Sequence, residues 1–273
     1  MTEADFARFR EFLERKCGIL LGADKRYLVD TRLSRLLREE SIPDMGTLVK
    51  MLTSPVTPPS WLVTKVVDAM TTNETLWFRD TYPFTALKST FLPQFLSAGK
   101  RSIRIWSAAC SSGQEPYSIS MTISEFNKEN RANINAAIVA TDISSRMIES
   151  ARLGLYDDLS LGRGLSDARR QAFFTQEPNG WRVKPEIRSR VQFSQLNLLE
   201  SYAQLGRFDL IYCRNVLIYF SKDTKTRIVA GMSDVLNDGG YLVLGASESI
   251  NQLTDRYVLE RLPHGGLVHK KVR

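Results

Sequence analysis

Histidine is almost missing: His264 and His269 are the only two in 273 residues, and both fall within the last ten. With so little imidazole, a hydrolase built on a histidine base and a histidine-rich metal centre are both poor readings. Cysteine is nearly as scarce. Cys17, Cys110 and Cys213 are too few and too scattered for a disulfide framework or a zinc site and read as reduced structural thiols, with no metal expected. No window approaches the apolar length of a membrane span. The start, Met1-Thr2-Glu3-Ala4-Asp5-Phe6, carries acids where a secretion signal needs bases and then an apolar run. The expected location is cytoplasmic, without membrane insertion. What the chain has in excess is positive charge, 37 Lys and Arg against 30 Asp and Glu, for a net +7. That balance suits nucleic acid, an anionic membrane or an acidic protein, and charge alone does not choose.

Residues 1 to about 75 read as helical throughout, with Phe6, Phe9, Phe12 and Leu13 on one apolar stripe and Leu28, Leu33, Leu36 and Leu37 on another. Eleven bases balance eleven acids over this stretch, so the net charge belongs to the rest of the chain. Within it, Arg32, Arg35 and Arg38 recur every three residues along one side of a helix. They read either as an ordinary solvated face or as a docking surface for an acidic helical partner. Ser54 to Ser60, with three prolines, is a loop. Thr71 to Asp80 then sets Asn73 and Thr75 beside aromatic residues and Arg79. This arrangement serves a ligand or merely caps a helix and pairs Arg79 with Asp80.

The centre of the chain is Ile103 to Ser118, which reads as strand, tight turn and helix. Ile103 and Ile105 alternate with Arg104 and Trp106, small residues follow, Gly113 tolerates positive φ, and Pro116 suits a first helical turn. The pattern is that of a nucleotide-binding turn without the full G-x-G-x-x-G spacing. A second strand, Ile134 to Ala140, leads to Asp142, which suits ribose hydroxyls or a helix cap. Gly162 to Val191 breaks the βα rhythm with a short helix near 168–174, a turn at Pro178-Asn179-Gly180 and extended Trp181-Arg182-Val183, and reads as a mildly basic β insertion. Val191 to Ser194 is a third strand ending near Asn197-Leu198. Phe208 to Cys213 is a buried parallel strand leading into Arg214 to Phe220, where ligand atoms gather in open α/β sheets. A helix from Ser221 is expected to end at Gly239-Gly240 before a fifth strand, Tyr241 to Leu244. Last, Tyr257-Val258 and Gly266-Leu267-Val268 flank a Pro263-His264-Gly265 turn, which makes the final pair antiparallel.

Five βα units closed by such a hairpin are the plan of S-adenosylmethionine-dependent methyltransferases. The blocks Thr72-Asn73-Glu74-Thr75 with Phe78-Arg79, Trp106 to Ala109 with Gly113 to Ser118, Ala140-Thr141-Asp142-Ile143 and Cys213 to Phe220 resemble the CheR family, the chemoreceptor glutamate O-methyltransferases of bacterial chemotaxis. The likeness spans nearly the whole chain. It implies an α/β fold: a Rossmann-like methyltransferase domain over 101–273 with a small β insertion at about 162–191, preceded by an all-helical docking domain over 1–80 and a connecting helix over 81–100. It further implies that Asn73, Thr75, Arg79, Glu115, Asp142, Asn197, Leu198, Asn215 and Val216 line the S-adenosylmethionine site, with S-adenosylhomocysteine as product. Arg79 and Tyr219 would lie nearest the transferred methyl, and Arg32, Arg35 and Arg38 would meet the cytoplasmic helical domain of a methyl-accepting receptor rather than nucleic acid. The loop between Phe174 and Trp181 is shorter than in members that clamp a receptor's C-terminal pentapeptide, which implies a tether-independent enzyme. Two other readings remain open, a methyltransferase of small molecules or nucleic acid and a non-catalytic module that senses the cofactor.

Overall fold

The computed structural model describes residues 1–263 and 265–272; His264, at the expected final turn, lies outside the described residues. Four helices form the N-terminal layer. Thr2 and Asp5 close a capping box that starts α1 (Glu3–Cys17), and Gly18 ends it in the left-handed region, at φ 77°. A single 3-10 turn precedes α2 (Arg26–Glu39), Asp44 caps α3 (Met45–Thr53), and Pro59 precedes α4 (Ser60–Met70). Phe6, Phe9, Phe12 and Leu13 pack with Val29, Leu33, Leu36, Leu48 and Val66 into one core. Leu28, expected on the same stripe, faces a cavity shared with the second layer instead. The expected connecting helix is continuous from Tyr82 to Ser97 as α5 (Tyr82–Ala86), a π turn over Leu87–Phe91, and α6 (Leu92–Ser97).

The remainder builds a seven-stranded sheet in chain order: β1 (Ser102–Ala108), α7 (Gln114–Asn130), β2 (Asn135–Asp142) and α8 (Ser145–Leu153). A smaller structure follows, from β3 (Leu155–Tyr156), α9 (Asp158–Leu161), α10 (Asp167–Phe173), β4 (Phe174–Glu177), β5 (Gly180–Val183) and α11 (Pro185–Arg188). The main sheet resumes with β6 (Val191–Gln195), β7 (Phe208–Cys213), α12 (Lys222–Val235), β8 (Leu236–Leu244), β9 (Tyr257–Arg261) and β10 (Leu267–Lys271). Its order is β6-β2-β1-β7-β8-β10-β9, parallel through β8, with β10 antiparallel to both neighbours. The alternation in β1 explains the two-sided burial. Ile103 and Ile105 pack toward Leu87, Phe91, Ile119 and Ile123, whereas Trp106 and Ala108 pack toward Ile228, Met232 and Phe208.

Two boundaries differ from the sequence reading. The helix after Ser221 ends at Val235, and the fifth strand begins at once with Leu236, so Gly239 and Gly240 lie inside the strand. They shape a bulge there: Gly239 has φ 72°, and a Cβ on Gly240 would stand 2.9 Å from the Asp209 carbonyl oxygen. The insertion also starts earlier than 162. Its three-stranded sheet has the order β3-β5-β4, and β3 is only Leu155–Tyr156, too short a run for alternation to reveal.

Candidate functional site

The parallel strands end on one side of the sheet, and the loops that follow them meet the N-terminal layer around a cavity of about 320 Å³. After β1 the backbone turns through the left-handed region at Ala109, Ser111 and Gly113, with φ of 59°, 50° and 95°. Only glycine serves at 113, since a Cβ there would lie 3.0 Å from the Ala151 methyl and 3.1 Å from the Tyr156 hydroxyl. This tight turn aims the Ser111 backbone N–H at Asp142, whose Oδ2 accepts it at 2.8 Å while Oδ1 accepts the Ser144 N–H at 2.9 Å. Asp142 is therefore not the cap of α8; Ser144 is, through its own hydroxyl. Burial raises the Asp142 pKa, although the two N–H groups oppose it. Each oxygen keeps a further lone-pair direction for a hydroxyl donor.

Glu115, on the first turn of α7, accepts the Ser107 hydroxyl at 2.7 Å through Oε1 and the Arg214 guanidinium at 2.8 Å through Oε2. Arg214 is the residue that sequence reasoning left without a role. Its side chain is 2% exposed, and one nitrogen donates to both the Arg79 carbonyl and Asp80 Oδ2 at 2.7 Å. Burial works against its charge, but Glu115 and Asp80 outweigh burial and raise its pKa. A signal was present: a base placed directly after six apolar or buried strand positions has to be paired. The pairing also settles Arg79, whose guanidinium donates to the Glu74 carbonyl at 3.3 Å, while Asp80 belongs to Arg214.

All nine residues expected around the cofactor, Asn73, Thr75, Arg79, Glu115, Asp142, Asn197, Leu198, Asn215 and Val216, line this one cavity, together with Tyr219. Asn197 additionally donates to the Lys16 carbonyl at 2.7 Å. The arginine row divides. Arg32 lines the cavity and donates to the Met70 carbonyl at 2.6 Å and the Thr72 hydroxyl at 3.0 Å. Arg35 stands exposed in a pair with Glu39, and Arg38 is exposed. The N-terminal layer also supplies wall residues that no motif announced, among them Cys17, Leu20, Gly22, Lys25 and Leu28. A two-residue antiparallel bridge, Ile19 with Phe220, joins the layers, and the Leu20 N–H donates to the Tyr219 carbonyl at 2.8 Å. The thiols lining the cavity are inert: burial pushes Cys17 up to about 11 and Cys110 well above the ordinary thiol value. Among the described residues there is no group of three or more His, Cys, Asp or Glu side chains able to hold a metal ion.

A parallel sheet wound in the order third, second, first, fourth, fifth strand, closed by an antiparallel hairpin and carrying a carboxylate at the tip of its second strand, defines a nucleoside-binding α/β methyltransferase. Comparison with known proteins narrows the class. Residues 73–265 match the SAM binding domain of CheR methyltransferase, and residues 4–71 match its all-alpha domain. The chain is 53% identical to chemotaxis protein methyltransferase 1 of Pseudomonas aeruginosa, with 99% of each chain covered. It is 51% identical to chemotaxis protein methyltransferase Cher2 of Pseudomonas putida over 98% of each, and 47% identical to the chemotaxis protein methyltransferase of Vibrio parahaemolyticus over 99% of this chain and 98% of that one. The chain belongs to the CheR methyltransferase family, and its cofactor is S-adenosylmethionine.

Proposed function

We propose that this enzyme transfers the methyl group of S-adenosylmethionine to glutamate side chains of bacterial chemoreceptors, forming the methyl esters used in sensory adaptation. The observation that carries the reading is the pairing, in one cavity, of hydroxyl acceptors Asp142 and Glu115 with Arg79 and Tyr219, and with no histidine among the described lining residues. The cofactor supplies an already activated methyl on a sulfonium sulfur. A glutamate substrate is ionised at neutral pH, with a reference pKa of about 4.3, so no base is required. The protein's task is alignment, which is worth several kcal/mol when a nucleophile is held in line.

In this reading Asp142 accepts from ribose hydroxyls, and Asn73, Thr75, Glu115, Asn197, Leu198, Asn215 and Val216 complete the cofactor's surroundings. Arg79 steers the incoming carboxylate with no competing ion pair among the described residues, its own bond being to a neutral carbonyl. Tyr219 orients the same carboxylate by a hydrogen bond. Arg35 and Arg38 meet an acidic receptor helix. The hairpin between β4 and β5 turns over only Pro178 and Asn179, which supports action without a receptor tether.

The test is transfer of labelled methyl from S-adenosylmethionine to receptor-containing membranes of the same cell, scored as alkali-labile methanol. Released label supports glutamate esterification, and its absence with cofactor binding intact refutes it. Arg79→Ala is expected to lose most turnover with an unchanged circular dichroism spectrum. A receptor's C-terminal pentapeptide is expected to give no calorimetric heat at micromolar concentration; tight binding would overturn the tether-independent assignment.

A further inference from the structure

Glu248 does not line the cavity, yet its carboxylate is more fully engaged by backbone than that of any residue in the site. Oε2 accepts the N–H of Asn215 at 2.6 Å and of Gly245 at 2.9 Å; Oε1 accepts the N–H of Val216 at 2.9 Å and of Ile218 at 3.3 Å. Four N–H donors converge on one carboxylate, which offers about four lone-pair directions. No lysine or arginine among the described residues forms an ion pair with it. Its charge is met by amide dipoles alone, the arrangement of an anion seated in a backbone nest.

The loop so held is the one after β7. Asn215 sits there in the left-handed region at φ 58°, and a single 3-10 turn over Leu217–Tyr219 is the only regular structure before α12. Five of its residues line the cavity, among them Asn215, Val216 and Tyr219. Close approach is built in from the other side as well. A Cβ on Gly245 would lie 2.8 Å from both Glu248 Oε2 and the Asn215 side-chain nitrogen, so a glycine at 245 lets the carboxylate reach the loop.

We infer that Glu248 is a positioning residue for methyl transfer: its carboxylate fixes the backbone of 215–219 and thereby the places of Asn215, Val216 and Tyr219. The inference rests on the proposed reading of the cavity as the methyl-transfer site. It requires a carboxylate and not merely a polar side chain. In glutamine one of the two oxygens becomes an NH2 donor that faces N–H groups, so at least one acceptor site is replaced by donor-to-donor repulsion at nearly unchanged shape.

Glu248→Gln, Glu248→Asp and the unaltered protein would be compared for S-adenosylhomocysteine affinity by calorimetry per folded molecule, receptor methylation, and amide hydrogen exchange. The expected result for Glu248→Gln is at least tenfold weaker binding, a larger loss of turnover, and faster exchange confined to peptides covering 214–220 and 245. Glu248→Asp, which keeps the charge on a shorter arm, is expected to recover part of the affinity. Unchanged affinity and turnover in Glu248→Gln would overturn the assignment. So would faster exchange spread over the whole chain with affinity per folded molecule unaltered, because that marks a purely structural residue. If the unaltered enzyme binds S-adenosylhomocysteine but methylates no receptor, the substrate reading fails while the affinity and exchange data still judge Glu248.

Discussion

At the scale of single residues, the buried guanidinium of Arg214 is the group whose removal the site tolerates least. It pairs with Glu115 and Asp80 at once. Replacing it with methionine keeps the volume but leaves Glu115 facing an apolar side chain, a change of the kind that costs about 3–5 kcal/mol. Chemical denaturation of Arg214→Met should show a loss of that size, and Arg214→Lys a smaller one, since a lysine keeps the charge without the forked geometry. His269 gives a pH prediction of definite sign. It lies buried in β10, neither ring nitrogen has a hydrogen-bond partner among the described residues, and burial lowers its pKa. The unfolded chain takes up this proton near pH 6.5 and the folded chain does not, so the stability associated with neutral His269 is present above that pH and lost as pH falls through it. The measurable outcome is a denaturation midpoint that declines below pH 6.5, with a shallower decline in His269→Leu.

At the scale of elements, α2 turns in two directions a row of arginines that its sequence presents as one. Arg35 and Arg38 point to solvent, and reversing both to glutamate should raise the KM for receptor while leaving S-adenosylhomocysteine affinity in place. Arg32→Glu should weaken cofactor binding as well, because Arg32 holds the Met70 carbonyl and the Thr72 hydroxyl at the cavity wall. Equal effects of Arg32 and Arg35 substitutions on both quantities would remove the distinction. The same helix shows how much the sequence disclosed. Periodicity gave its existence and its buried Leu33 and Leu36, but a spacing of three cannot say which arginine turns inward, since that depends on where the chain after α4 passes. Strands with continuous apolar runs, such as β7, were legible; β3, with two residues, was not. Of the site, the residues carried on motifs next to strand ends were legible, and all of them meet in one cavity. The wall from Cys17 to Leu28 and the reach of Glu248 across to Asn215 were hidden, because both depend on contacts between segments about 200 and 33 residues apart in the chain.

At the scale of the whole molecule, charge and shape are divided unequally. The N-terminal layer is neutral over residues 1–75, so the entire excess of +7 lies in the connecting helix and the part that builds the sheet and its insertion. The insertion is fastened to the cavity wall: the Trp77 backbone N–H donates to the Arg163 carbonyl at 3.0 Å, and Arg163 pairs with Glu74. The helical layer is fastened through Ile19 and Phe220, where a Cβ on Gly18 would come within 2.9 Å of the Phe220 ring. That seam bears on inheritance. A targeting domain that merely carries a catalyst to its substrate can be traded between enzymes like a cassette, but here the helical layer is one wall of the cavity proposed for the chemistry. A transplanted helical layer would have to bring a matching Gly18-to-Leu28 edge with it, so changes on the two sides of the seam are expected to have been accepted in pairs.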